Sequence, residues 1–334
     1  MKAAVWKGID HLDIDDWPIP EVKEPYDVQV KVVACGVCGT DYHILEGKFP
    51  MFSPPRVIGH EYVGTVTAVG SKVTRIKVGD RVAVEQGLTC GACYFCRDGR
   101  ENLCEHRFAH PGGYAEYTCV VERMCHLIPD GLSWEVAALA EPMACALRAM
   151  DMVQIRSGDI ALVQGGGTIG CIMTQLLYRG GISKVILSEP VAHRREIAKA
   201  VGATLVVDPK TEDLPAILKR ETNGLGPEYV FDCVGHHKLI EEGIQLVQKG
   251  GTIFVVGVAD PAGVANIKPY DLFAKELTIK ASCLRPYTFA RAVRYLPYLN
   301  LKPIVSVEYP LEKTKEAIHA LRQSQLGCKI LVKP

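Results

Sequence analysis

The chain reads as an α/β protein in two parts: a β-rich small barrel with long loops, and a doubly wound parallel sheet with helices on both faces. Three observations predict this. The first 130 residues hold short β-branched runs separated by Gly, Pro and Asp. After Gly158-Asp159 the pattern becomes apolar strand, glycine turn and long helix, repeated, as a parallel sheet requires. After Leu277 the tail returns to mixed character, and 334 residues are enough for two domains.

The elements follow in order. Val28–Val33, Val63–Val69 and Arg81–Val84 are strand candidates, the last fed by a Gly79-Asp80 turn. Pro142 suits the first turn of a helix that continues through Met143–Met150. Ile160–Val163 is a strand, Cys171–Arg179 a helix ended by Gly180-Gly181, and Lys184–Leu187 the next strand. His193–Val201 is helical and stops at Gly202. Leu205–Val207, Tyr229–Asp232 and Thr252–Val256 are strands, with a helix over Lys238–Val247. Leu277–Cys283 is the last sheet strand, Lys313–Ser324 is helical and Lys329–Val332 extended. No internal repeat or low-complexity segment interrupts the pattern.

Composition narrows the function classes. Lys+Arg and Asp+Glu both count 38, so the zero net charge offers no footprint for nucleic acid or anionic lipid. No apolar run reaches the ~18–20 residues of a membrane span, and Met1–Gly8 lacks the apolar core of a signal peptide. Thirteen cysteines in such a chain point to a reducing cytoplasm.

Cys90, Cys93, Cys96 and Cys104 form a C-x2-C-x2-C-x7-C run in one loop. Four thiolates so close can close a tetrahedral cage around zinc with no open position, which makes a structural site. A disulfide framework is disfavoured because nothing else looks secreted. An iron–sulfur run would carry Pro after its last cysteine, and here Glu105 follows.

Gly165-Gly166-Gly167-Thr168-Ile169-Gly170 fits G-x-G-x-x-G and lies between a strand and a helix, the context that makes the pattern specific for dinucleotides. Gly165 permits the turn, Gly167 admits a pyrophosphate and Gly170 lets helix and strand approach. Thr168 and Ile169 open the helix whose N-terminus favours phosphate. Glu189, nineteen residues after Gly170, is placed to meet the adenosine ribose and to favour NAD over NADP; it also stands where it can cap the next helix. Arg194 is a candidate to stack on adenine. Because ligands of such sheets sit at the carboxyl ends of strands, Val256, Gly257, Val258, Cys283 and Arg285 join the cofactor candidates.

Upstream lies a second metal constellation. Catalytic zinc takes three protein ligands and keeps one position open. Cys38, His60 and a carboxylate, Glu61 or Glu141, supply such a set. Cys35 and Cys38 also make C-x-x-C, but a redox pair belongs at a helix start in a βαβ unit, not in a β-rich region.

The chain resembles the zinc-dependent medium-chain dehydrogenases of the sorbitol, polyol and threonine dehydrogenase group, nearly end to end. The resemblance rests on Cys38-Gly39-Thr40-Asp41-Tyr42-His43, Gly59-His60-Glu61, the four-cysteine lobe, Gly112–Tyr117, Glu141-Pro142, the glycine turn and Phe231-Asp232-Cys233-Val234-Gly235. It implies a GroES-like barrel domain from residues 1–145 and 283–334, with a zinc lobe at about 86–106, and an inserted Rossmann domain at 146–282. It further implies two zincs per chain, NAD as cofactor, and a homodimer or homotetramer. A Lewis-acid zinc would polarise a substrate hydroxyl whose carbon passes a hydride to NAD⁺. Thr40 and His43 would carry the proton to solvent, and Asp41 would orient the ligand histidine or its loop.

Substrate choice is less specified. Arg285 and Tyr287 resemble the segment that places an Arg and a Tyr near a polyol, with Pro286 intervening. Sorbitol enzymes carry Tyr where this chain has Ile44. The favoured substrate is a polyol, cyclitol or sugar-derived secondary alcohol, with L-threonine and vicinal diols as alternatives and His110 as a pocket candidate. A non-catalytic zinc-binding protein would have lost ligands, and all are present.

Overall fold

The computed structural model describes residues 1–48, 53–87, 89–107, 111–321 and 327–334, so His110 lies outside the described residues. Along the chain run β1 (Lys2–Gly8), β2 (His11–Asp16), β3 (Asp27–Gly36), β4 (Arg56–Val57), β5 (Glu61–Val69), β6 (Arg81–Glu85), β7 (Tyr117–Val121) and β8 (Cys125–Leu127). Then come β9 (Ile160–Gln164), β10 (Lys184–Ser188), β11 (Leu205–Val207), β12 (Tyr229–Asp232), β13 (Thr252–Val255) and β14 (Thr278–Ala281), and finally β15 (Val305–Pro310) and β16 (Lys329–Lys333). The chain divides into two compact units: Met1–Ala144 with Arg285–Pro334, and Cys145–Leu284.

The first unit holds a seven-stranded sheet in the order β15-β16-β3-β5-β6-β8, with β7 pairing β3, and a three-stranded sheet β2-β1-β4. β3 alternates Val28, Val30 and Val32 inward, and these pack with Val66, Val82, Val84 and Val120 in one apolar core. Register across β16-β3-β5 is fixed by Leu331↔Gly36 and Gly36↔Glu61. A single-residue slip would expose that whole apolar set.

The second unit is a six-stranded sheet, order β11-β10-β9-β12-β13-β14, with every neighbour parallel. Counted within the unit this is 3-2-1-4-5-6, the doubly wound order with its switch point between β9 and β12. Leu162, Ile186, Val230 and Ile253 are fully buried, and Leu214, Leu218, Ile244 and Val247 cover them. Such near-continuous apolar strands belong to a sheet buried on both faces.

Helix ends differ from the sequence expectation by a few residues. The helix after the glycine turn spans Thr168–Arg179 rather than starting at Cys171, because Gly167 is its N-cap. The edge strand is Thr278–Ala281, shorter than the expected 277–283. A helix at Leu214–Glu221 had no counterpart in the sequence reading, although Asp213 caps it by accepting from Ala216 N–H at 3.0 Å and Pro lies in its first turn.

Candidate active site and metal centres

β3 ends at Gly36, and the chain turns through Cys38 into the helix Gly39–Leu45. Antiparallel to it, β5 starts at Glu61, with His60 just before its first residue. The register Gly36↔Glu61 therefore brings Cys38 and His60 to neighbouring strand ends. A Cβ on Gly36 would overlap the Glu61 carboxylate, so glycine is needed for that carboxylate to lie over β3. Ligand atoms of Cys38, His60 and Glu61 all lie within 4.8 Å of one another.

Asp41 braces the set. Its Oδ2 accepts from the Cys38 backbone N–H at 2.9 Å and from the Tyr114 hydroxyl at 2.8 Å, and its Oδ1 faces His60 Nδ1 at 3.4 Å. Asp41 is fully buried. A carboxylate behind a ligand histidine fixes ring orientation and makes the other nitrogen a better donor. Burial works to lower the His60 pKa, but Asp41 and the Cys38 thiolate outweigh it and push it well above the ordinary histidine value. The donor set is thus a site of negative potential, which favours positive charge. Sulfur, imidazole and carboxylate in such a site suit zinc with an open position.

Lys329, from β16, reaches into the same place. Its ammonium pairs with Glu61 Oε2 and donates to the Val37 carbonyl at 3.0 Å, and both partners of the pair are buried. Burial raises the Glu61 pKa, with Lys329 opposing; burial lowers the Lys329 pKa, and Glu61 more than offsets it. Lys329 was not among the residues that sequence reasoning selected.

Two expectations change here. Glu141 does not join the described metal group; it is buried and pairs with Arg285, Oε1 to Nη1 at 2.7 Å. Arg285, expected at the cofactor, is held by that pair and by donation to the Gln86 carbonyl. The physical reason is reciprocal: a buried guanidinium needs a carboxylate, and Glu141 sits in the first turn of the helix Ala140–Asp151 facing it. Thr40 and His43 lie on the helix Gly39–Leu45, with Thr40 Oγ1 3.7 Å from Cys38 Sγ and His43 Nδ1 3.6 Å from Glu46 Oε2.

The lobe gathers Cys90, Cys93, Cys96 and Cys104 within the same 4.8 Å limit. Cys90 Sγ lies 3.9 Å from Cys96 Sγ and 3.6 Å from Cys104 Sγ. A tetrahedron with Zn–S bonds near 2.3 Å has S···S edges of about 3.8 Å, so the spacing fits. All thirteen cysteines are free thiols. Backbone N–H groups of Ala92 and Cys93 point at Cys90 Sγ at 3.5 and 3.3 Å. Such donors favour thiolates: they lower the Cys90 pKa, and N–H groups of Cys96 and Glu105 bring Cys93 down to about 6.

In the second unit, Gly165 takes a positive φ of 99° at the end of β9, and a Cβ on Gly170 would overlap the Gly165 carbonyl. Space beside Gly167 is open, as a pyrophosphate cradle requires, and this residue caps the helix of Thr168 and Ile169 without a side chain. Glu189 follows β10 and is buried; Oε2 accepts from Gly166 N–H at 2.7 Å and Oε1 from Val191 N–H at 2.8 Å. It thus holds the glycine turn and the entry to the next helix together. Arg195 donates to the Glu189 carbonyl at 2.8 Å and pairs with Asp208 at 3.1 Å. Arg194 sits one position earlier on the helix Ala192–Ala200. Val256 and Gly257 donate to the Asp232 carbonyl beyond the ends of β12 and β13. Val258 and Cys283 are exposed.

Two clusters of candidate metal ligands in the first unit and a doubly wound parallel sheet with a glycine turn in the second fit the class of pyridine-nucleotide dehydrogenases. Residues 24–130 match the family model of the alcohol dehydrogenase GroES-like domain, and residues 168–296 that of the zinc-binding dehydrogenases. The chain is 31% identical to a sorbitol dehydrogenase of Bacillus subtilis (strain 168), over 100% of this chain and 97% of that one. It is 32% identical to an L-threonine 3-dehydrogenase of Caldanaerobacter subterraneus subsp. tengcongensis, over 96% and 94%. Among solved structures, a Sinorhizobium meliloti 1021 protein described as a zinc-binding dehydrogenase, bound to NADP, superposes with a TM-score of 0.92 at 33% identity, over 100% and 99%. The 2R,3R-butanediol dehydrogenase from Bacillus subtilis gives 0.89 at 30% identity, over 100% and 99%. The chain belongs to the zinc-dependent medium-chain dehydrogenase family, and it is an NAD(P)-dependent dehydrogenase with a GroES-like barrel and a Rossmann sheet.

The Lys329–Glu61 pair yields a stability prediction. Lys329→Met leaves a buried carboxylate without its cation and is expected to cost about 3–5 kcal/mol. Denaturant unfolding of the metal-free variant reads this, and a wild-type midpoint would contradict it.

Proposed function

We propose that the protein oxidises a secondary alcohol of the polyol, cyclitol or sugar-derived class to a ketone, with hydride transfer to NAD⁺. The observation that carries this is the convergence of Cys38, His60 and Glu61 around one point in a chain whose sorbitol dehydrogenase relative it matches end to end. When bound, zinc supplies Lewis-acid polarisation of the alcohol oxygen and the nicotinamide supplies the hydride acceptor.

The chain's own residues do the rest. Cys38, His60 and Glu61 hold the ion, and Asp41 keeps the His60 ring turned toward it. Lys329 balances the charge of Glu61, so that the negative potential left at the site comes from Cys38 and Asp41. Thr40 takes the hydroxyl proton and hands it to His43, which passes it outward. The alcohol carbon loses a hydride, its oxygen loses a proton, and the products are ketone, reduced cofactor and one released proton. Gly165, Gly167 and Gly170, with the N–H groups at Thr168 and Ile169, seat the pyrophosphate. Glu189 at the end of β10 disfavours a 2′-phosphate, which supports NAD. Cys90, Cys93, Cys96 and Cys104 hold a second, structural zinc, giving two per chain.

Two readings remain on the same machinery. Oxidation of L-threonine is favoured by the 32% identity to an L-threonine 3-dehydrogenase, and of a vicinal diol by the likeness to a butanediol dehydrogenase. The thirteen free thiols support a reducing compartment, the cytoplasm. A second copy of the chain is the proposed partner: β14 is exposed along its length at the sheet edge, beside Phe273 and Tyr270, which are 84% and 74% exposed.

A panel of polyols, sugars, vicinal diols and L-threonine with NAD⁺ and with NADP⁺, followed by absorbance of reduced cofactor, tests the reading. The highest kcat/KM is expected for a polyol or related secondary alcohol with NAD⁺. Turnover of L-threonine alone would overturn the substrate class, and preference for NADP⁺ would overturn the role of Glu189. Sedimentation equilibrium is expected to give a multiple of the 36.6 kDa chain mass; a monomer would contradict the pairing of edge strands.

A further inference from the structure

The helix Gly39–Leu45 carries Thr40 and His43 three residues apart, and its C-cap Glu46 lies three further on. Residues at this spacing stack on one helix face, about 5–6 Å between Cβ atoms. The row starts at the metal ligand, where Thr40 Oγ1 is 3.7 Å from Cys38 Sγ. It continues where His43 Nδ1 stands 3.6 Å from Glu46 Oε2, and ends where Lys48 Nζ lies 3.3 Å from the same oxygen. Side-chain exposure climbs along it, from 17% at His43 to 25% at Glu46 and 41% at Lys48. The row therefore runs from the ligand set toward water.

Other charged groups near this face are already committed. Tyr42 meets His43 edge-on, with ring centroids 6.5 Å apart, and meets His319 at 5.9 Å on the helix Thr314–Ala320 packed alongside. His319 and Lys315 both engage Asp10, at 3.0 and 3.3 Å. Among the described residues, the carboxylate facing the His43 ring is thus Glu46. At 3.6 Å the contact is longer than a hydrogen bond, as catalytic contacts often are before substrate arrives.

We propose that Glu46 is the positioning residue of the proton path: it holds the Nδ1–H of His43, leaving Nε2 as the basic nitrogen that receives the substrate proton. A proton taken at Nε2 is matched by release of the Nδ1 proton through Glu46 to solvent. The inference rests on the alcohol-oxidising reading for its purpose, but its geometry is testable without any substrate.

The test is the ¹⁵N spectrum of the histidines in the full-length protein, with the His43 signals assigned by their loss in His43→Gln. The wild type is expected to show His43 protonated at Nδ1, and Glu46→Ala to show the Nε2–H form. Glu46→Gln keeps a carbonyl acceptor and is expected to retain the Nδ1–H form, which separates loss of the contact from loss of the helix end. In single turnover with the best alcohol of the panel, Glu46→Ala is expected to slow hydride transfer about tenfold with KM unchanged, a part of the 10²–10⁴ that positioned acid–base groups contribute. Added imidazole is expected to restore part of that rate. A wild-type His43 protonated at Nε2, or an unchanged tautomer and rate in Glu46→Ala, overturns the inference. Absence of any alcohol turnover by the wild type sinks the functional reading instead, and the tautomer result still decides the geometry.

Discussion

The register of β3 against β5 is the constraint on which the site depends. It opposes Gly36 to Glu61, and so sets the Cys38 end of one strand beside the His60 end of the other. β16 on the far side of β3 opposes Leu331 to Gly36 and carries Lys329 to the same level. Three strands from distant parts of the sequence thus deliver a thiolate, an imidazole, a carboxylate and a balancing ammonium to one place. The core valines of β3 and β5 bind that register to the burial of the whole face, so the barrel's stability and the geometry of the ligand set are one property.

Charge balance follows from that placement. Taking a carboxylate and a thiolate out of water is costly unless a cation answers them. Lys329 answers Glu61. The remaining negative potential of Cys38 and Asp41 raises the proton affinity of His60, and a divalent ion would relieve it. Arg285 answers Glu141 in the same way a short distance along the unit's other segments, which is why a carboxylate expected at the metal is found outside the described group. The four-cysteine lobe solves its own problem locally, with backbone N–H groups aimed at sulfur.

Much of this was legible in the sequence, for identifiable reasons. The glycine fingerprint and the four-cysteine loop are local patterns whose spacing dictates their geometry, and the strand–turn–helix grammar of the second unit is repeated five times before its last strand. Cys38, His60 and a carboxylate were legible as one ligand set, though the choice between Glu61 and Glu141 was not. What escaped was non-local. Lys329 lies 268 residues from Glu61, and nothing in its surroundings marks it as anything but an ordinary lysine in an edge-like tail. The Glu141–Arg285 pair likewise depends on tertiary placement. The helix Gly39–Leu45 was hidden because Gly39 and Thr40 are poor helix formers, and Asp41 starts it by accepting the Cys38 N–H. The helix at Leu214–Glu221 did carry a readable signal, Asp213 followed by Pro215 in the first turn.

Cys38, His60 and Glu61 together are expected to hold an ion distinct from the one in the cysteine lobe. Anomalous diffraction from crystals of the zinc-loaded protein, recorded on either side of the zinc absorption edge, tests it most directly. Two peaks per chain are expected. One lies amid the four lobe sulfurs, and one about 2.3 Å from Cys38 Sγ and about 2.0–2.1 Å from a His60 nitrogen, with Glu61 beside it. A fully loaded lobe with no peak between Cys38 and His60 would contradict it.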